Sequence, residues 1–148
     1  MNANSSNVVA EAEIRELIGA WLNAARTGNV DGVTAHYAPD IVAYDAVSQL
    51  RFVGVDAYRQ HWDACMAMCS GPMIFEAPEL TIAAGEDVAF AYGLIRCGEK
   101  LEDGGEKASW MRMSTGYRKR GGKWLVVHEH FSAPFDMESG KALFELQP

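Results

Sequence analysis

His128 and His130 lie two residues apart in the segment KWLVVHEHFS. Its β-branched and aromatic residues read as a strand. Alternation sends side chains two apart to the same face, so both imidazoles project to one side. Imidazole changes charge near neutral pH, and such a pair on a pocket wall can give and take protons. The plainer role is equally open: a sheet histidine often only bonds a neighbour or faces a partner subunit. Asp45 follows Tyr44 at the end of a short apolar segment, residues 41–45. A carboxylate in apolar surroundings is desolvated, which raises its pKa toward values useful to a general base. A strand end is also a common place for a capping Asp. A His-x-His pair can bind zinc, which needs a third or fourth ligand; Asp45 could supply one, but nothing in the spacing requires it. No metal and no cofactor is expected.

The glycine pair Gly121 and Gly122 marks a tight hairpin ahead of the histidine strand, because glycine supplies the positive φ that such turns need. With an even loop, Tyr117 faces Val126, Thr115 faces His128 and Met113 faces His130. The other face then carries Trp110, Arg112, Leu125, Val127, Glu129 and Phe131, with Arg112 and Glu129 able to neutralise each other. An odd loop exchanges the two sets.

The elements that must hold these groups are helices first and strands afterwards. Ile14, Leu17, Ile18, Trp21 and Leu22 repeat at helical spacing, behind candidate caps at Ser5, Ser6 and Asn7 and before a closing Gly28. A second short helix is expected over residues 30–37, ended by Pro39. A third carries Val55, Tyr58, Trp62, Cys65, Met66 and Cys69 on one face and closes at Gly71 and Pro72. Four long strands are expected over residues 73–83, 87–100, 106–119 and 123–131, the first interrupted by Pro78. Helices segregated from consecutive antiparallel strands give an α+β fold. Trp21, Tyr58 and Trp62 read as core first and as pocket lining second. Cys65 and Cys69, one turn apart, read as core.

The 148 residues fit one domain, 1–148, with residues 1–7 and 138–148 as peripheral tails. A net charge of −7 argues against nucleic acid and anionic lipid as partners. No apolar run approaches the roughly 20 residues that span a bilayer, and the polar start argues against a secretory signal. Three cysteines make no disulfide framework, which points to a reducing, cytoplasmic setting.

Three stretches together resemble the NTF2-like superfamily: AARTGNVDG at 24–32, YAPDIV at 37–42 with FVGVDAY at 52–58, and WMRMS at 110–114 leading through GGKWLVVHEHFS at 121–132. The last is similar to the SnoaL-like and ketosteroid-isomerase-like branch. The resemblance implies an α+β, cystatin-like cone, with three N-terminal helices packed on a curved antiparallel sheet around a small-molecule pocket, and usually a homodimer. It places Asp45 where ketosteroid isomerases keep their catalytic Asp, and scytalone dehydratases keep a Tyr-Asp pair near Tyr44 and Asp45. It departs at Trp21, where the isomerases have a Tyr; an indole donates a hydrogen bond but cannot exchange its proton as a phenol does. The expected site therefore has Asp45, His128 and His130 as catalytic groups, walled by Trp21, Tyr44, Tyr58, Trp62, Met113 and Tyr117. Isomerisation or dehydration of a small apolar carbonyl or hydroxyl compound is one reading, and a non-catalytic ligand-binding or assembly module the other.

Overall fold

The computed structural model describes residues 3–70 and 72–148. Two helices come ahead of a sheet of seven strands, and a third lies between its second and third strands. The strand order is β2 (Phe52–Val53), β1 (Tyr37–Tyr44), β7 (Lys123–Ser132), β6 (Glu106–Arg120), β5 (Val88–Lys100), β3 (Met73–Glu76), with β4 (Leu80–Ala84) beside β3 along β5. The helix α1 runs Ala3–Arg26. It begins ahead of the expected caps at Ser5, Ser6 and Asn7, which lie inside its first turns. It ends as expected, with Gly28 at φ +68. Ala10, Ile14, Ile18 and Trp21 turn its buried stripe into the core. The Asn29 side chain accepts from Gly32 N–H at 3.0 Å and caps α2, Val30–Thr34.

The second helix is shorter than its sequence suggests. Tyr37 to Pro39 belong to β1, Tyr37–Tyr44. Proline is tolerated there because the pairing of β1 with β7 is irregular between Tyr37 and Val42. That pairing is parallel, the exception in an otherwise antiparallel sheet. A loop and β2, Phe52–Val53, lead to α3, Val55–Ala67. Gly71, expected to close α3, lies outside the described residues; the Met68 N–H bonds to the Cys65 carbonyl at 3.2 Å instead. Pro78 splits the first expected long strand into β3, Met73–Glu76, and β4, Leu80–Ala84, both paired with β5, Val88–Lys100. β6, Glu106–Arg120, and β7, Lys123–Ser132, form the predicted hairpin, with Gly121 at φ 58 and Gly122 at φ 79, the two positive angles of a primed turn.

The even loop pairs Tyr117 with Val126 as expected, but the register then shifts by one residue. Val127 is the extra residue of a β-bulge. Beyond it His128 faces Gly116, Glu129 faces Thr115, His130 faces Ser114 and Phe131 faces Met113. A one-residue slip sends every later side chain to the opposite face. Glu129 and Phe131 therefore turn toward the helices, and His128 and His130 turn away. Arg112 pairs not with Glu129 but with Ser132, whose hydroxyl accepts from Arg112 Nε at 3.0 Å.

The core lies between the helices and the concave face of the sheet. Trp21 sits at its centre, edge-on to Trp62 and Phe75 with centroids 6.0 and 5.1 Å away and stacked on Phe131 at 6.0 Å. Such aromatic pairs contribute about 1 kcal/mol each beyond their buried area.

Candidate functional site

The end of β1 and the middle of α3 are brought together by one backbone bond. Gly54 N–H, at the start of α3, donates to Ile41 C=O in β1 at 2.8 Å. Arg59 ties the same helix to α2 through Asp31, at 2.5 Å, and the Thr34 hydroxyl, at 3.2 Å. Two turns into α3, His61 then meets Asp45, which follows β1 directly. The His61 Nε2 and Asp45 Oδ2 atoms share a short hydrogen bond. Asp45 Oδ1 is occupied by the Ala46 N–H at 2.6 Å, so one carboxylate oxygen anchors the loop and the other serves the imidazole. The ring of His61 stacks on Phe52, with centroids 4.2 Å apart, and its side chain is 6% exposed against 18% for Asp45.

This pair forms part of the wall of a cavity of about 380 Å³, a size ordinary for small-molecule sites. Trp62, Phe75, Phe131 and Phe144 supply aromatic surface, and Ile95 an aliphatic patch. Sulfur is concentrated here. All three cysteines, Cys65, Cys69 and Cys97, line the cavity together with Met66, Met73 and Met111. The Cys65 Sγ is 3.6 Å from His61 Nε2. Burial, with smaller contributions from Asp45 and Cys69, pushes the Cys65 thiol up, and burial likewise drives Cys97 up to about 11. Both remain thiols near neutral pH, and a thiol is a poor nucleophile. Among the described residues no lysine or arginine lines the cavity. Among the described residues no group of three His, Cys, Asp or Glu side chains is placed to hold a metal ion.

Deeper in the core, separate from this cavity, lies a second polar group. Glu129 Oε2 accepts hydrogen bonds from Tyr37 Oη at 2.8 Å and Tyr58 Oη at 2.6 Å. Trp21 Nε1 donates to Tyr37 Oη at 3.0 Å. Burial raises the Glu129 carboxyl to about 7, although the two phenols pull it down. Burial, and then the charge of Glu129, push the Tyr37 phenol well above its ordinary value. Among the described residues, the one buried side-chain polar atom without a hydrogen bond is Trp62 Nε1.

A model of the SnoaL-like domain family matches residues 14–136. The chain belongs to that family. Among solved structures, this SnoaL-like chain is similar to an NTF2-like protein of unknown function from Pseudomonas putida KT2440, with 51% identity, 95% of this chain and 98% of that one covered, and a TM-score of 0.89. It shares its fold with a nuclear transport factor 2 (NTF2-like) superfamily protein from Salmonella enterica serovar Typhimurium, at 16% identity over 92% of this chain and 99% of that one, TM-score 0.74. It shares it also with the association domain of C. elegans CaMKII, at 15% identity over 86% of this chain and 98% of that one, TM-score 0.66. Among curated proteins none matches the chain.

The SnoaL-like fold puts Asp45 and Trp62 on the cavity wall. It does not bring His128 and His130 there. The bulge at Val127 sends both to the outer face, where they flank Tyr44 edge-on at 4.8 and 5.5 Å. His128 Nδ1 is hydrogen-bonded to the Val42 carbonyl at 2.7 Å. Tyr44, expected as pocket lining, is 40% exposed on that same face. None of Trp21, Met113 and Tyr117 lines the cavity; the three border a void of about 10 Å³ beside Glu129, too small for anything but a water molecule, and Met113 also borders the groove beside Trp110. Tyr58 is fully buried, its hydroxyl committed to Glu129. Sequence reasoning passed over His61. Its signal is the spacing Tyr58, His61, Trp62, Cys65, in which an imidazole takes one position of an apolar helical stripe.

Proposed function

We propose that this SnoaL-like chain binds a neutral, largely apolar small molecule in the α3 cavity and moves protons on it through the Asp45–His61 pair. The observation that carries this reading is a hydrogen-bonded carboxylate and imidazole on the wall of a cavity whose other lining is almost entirely aromatic, aliphatic and sulfur. A lining without lysine or arginine disfavours carboxylate or phosphate ligands, whose charge would go uncompensated. In an isomerisation the pair removes a proton from a carbon next to a carbonyl and returns it at another carbon. In a dehydration it removes that proton and delivers one to the departing hydroxyl, which leaves as water. His128 and His130 take no part.

The test is proton exchange, which can be followed whatever the product. Cyclic ketones found to quench the tryptophan fluorescence are incubated with the protein in deuterium oxide, and loss of the α-proton signal is followed by NMR. Asp45→Asn is expected to slow exchange by about 100-fold or more, the scale of general acid–base catalysis, while the dissociation constant changes little. Ketones that bind tightly without enzyme-dependent exchange would favour a carrier.

A specific observation also supports assembly. Val88, Phe90, Tyr92 and Leu94 alternate along the outer face of β5 at 51%, 53%, 48% and 39% exposure. A continuous apolar stripe of this kind is costly in water, and one fold neighbour is an association domain. We propose that a second copy covers this face. Light scattering is expected to give about twice the chain mass of 16.2 kDa, and Tyr92→Glu to return it to the single-chain value. No described helix is long and apolar enough to cross a membrane.

A further inference from the structure

The segment that follows β7 reaches the cavity and contributes Phe144 to its wall. Residues 133–148 fold back on themselves: Leu143 N–H donates to the Pro134 carbonyl and Asp136 N–H to the Lys141 carbonyl, each at 2.8 Å, and Phe135 bridges to Ala142. Asp136 organises the turn by accepting from Ser139 N–H at 2.7 Å, which helps hold its carboxyl below the usual range. This fold-back delivers Phe144 to the cavity, across from Asp45 and Val47. Phe144 and Val47 are both about half exposed, at 45% and 46%, as expected of residues at a mouth rather than in a core.

How the segment is held matters more than where it lies. Among the described residues, every hydrogen bond made by residues 133–148 is internal to that segment. The last polar tie to the body is the Arg112–Ser132 bond at the end of β7. Beyond it, the segment lends Phe144 to the cavity wall and Pro148 to a groove beside Trp110 and Pro78, and Leu143 is partly buried. A unit with its own hydrogen bonds and few polar ties to the body can swing away without leaving any backbone group newly unpaired. The cost of opening is then chiefly the exposure of the Phe144 ring and the cavity wall.

We propose that residues 133–148 form a strap that opens about residues 132–134, and that Phe144 is its latch, gating access to the Asp45–His61 pair and limiting the length of ligand the cavity accepts. The proposal rests on the reading of this cavity as the ligand site. Its test needs no ligand, because Cys65, Cys69 and Cys97 are partly buried and line the same cavity as Phe144, and so report access themselves. The native protein is treated with iodoacetamide, a small neutral reagent, and alkylation of each cysteine is followed by peptide mass spectrometry. Phe144→Ala is expected to raise the rate at all three by about tenfold, and Phe144→Trp to lower it, with unchanged circular dichroism. If Phe144→Ala does not fold, slowed alkylation in Phe144→Trp still supports the latch, and an unchanged rate there overturns it. Equal rates in wild type and both variants overturn it as well. Failure of ketone exchange with altered alkylation would remove the catalytic reading and leave the strap.

Discussion

Replacing Glu129 by Gln is expected to change how the stability of the protein depends on pH, by about 3 kcal/mol between pH 4.5 and pH 8. Glu129 is 2% exposed and held under α3 by Tyr37 and Tyr58. Removing a carboxylate from water penalises its charged form. Two phenolic hydrogen bonds offset only part of that, and the charge of Asp45 adds slightly to it, so the carboxyl titrates at about 7 in the folded chain. In the unfolded chain it titrates near the ordinary 4.5. At about 1.4 kcal/mol per pH unit, the difference is worth about 3 kcal/mol.

The direction follows from where the proton sits. Between 4.5 and 7 the folded chain keeps the Glu129 proton and the unfolded chain has lost it. This contribution to stability is whole below about pH 4.5 and disappears as the pH rises through about 7. The surface carboxylates Asp40 and Glu106 are held low by Arg120 and Arg96, and act in the opposite sense. They are present in both proteins and cancel in the comparison. Gln keeps the shape and an acceptor oxygen but does not ionise. Urea titrations from pH 4.5 to 8 should therefore show Glu129→Gln gaining steadily on the wild type. Two stability curves that run parallel across this range would show that Glu129 is not buried as a titrating acid.

Glu129 also marks where sequence reading stops. The Gly121–Gly122 turn correctly sets the hairpin register through Tyr117 and Val126, because turn type and register are local properties. The bulge at Val127 is not local. WLVV is apolar at both parities, so nothing in it says which residue is left over. The answer is fixed by what the helices offer: Tyr37 and Tyr58 present hydroxyls to Glu129, and Trp21 presents a ring to Phe131. One extra residue thus exchanged a histidine pair for a buried acid. The α+β order, the three helices and the strands were legible because period and turn chemistry declare them; the curvature of the sheet came only from the resemblance. The position of Asp45 at the end of β1 was legible from the short apolar segment before it. His61 was hidden because an imidazole within an apolar helical face reads as core until the carboxylate it meets is known. Phe144 was hidden because nothing in the segment after Pro134 says where its fold-back lands.

The close approach of two strands beside the cavity has its own test at Gly98. β5 passes between β3 and β6 here, with Gly98 opposite Ile74 on one side and Ala108 on the other. A Cβ at this position would lie 1.9 Å from the Lys107 carbonyl oxygen and 2.6 Å from Ala108 Cα. Both are backbone atoms, so no side-chain rotation relieves the overlap; β6 itself must move away from β5. The same backbone lines the cavity with Cys97 and Ser109, so a displacement large enough to seat a methyl group would weaken the ladder and reshape the pocket together. Gly98→Ala is expected to cost about 3 kcal/mol or more, the upper end for overpacking, and to lower the melting temperature by roughly 6–12 °C for a chain of this size. Gly116→Ala is the control. It occupies the adjacent strand, and its Cβ would come no closer than 3.7 Å to the His128 Cβ. There the loss of glycine's extra freedom in the unfolded chain should leave stability unchanged or raise it by up to about 1 kcal/mol. Thermal melts that place the two variants together would mean that β5 and β6 do not approach at Gly98 closely enough to exclude a side chain.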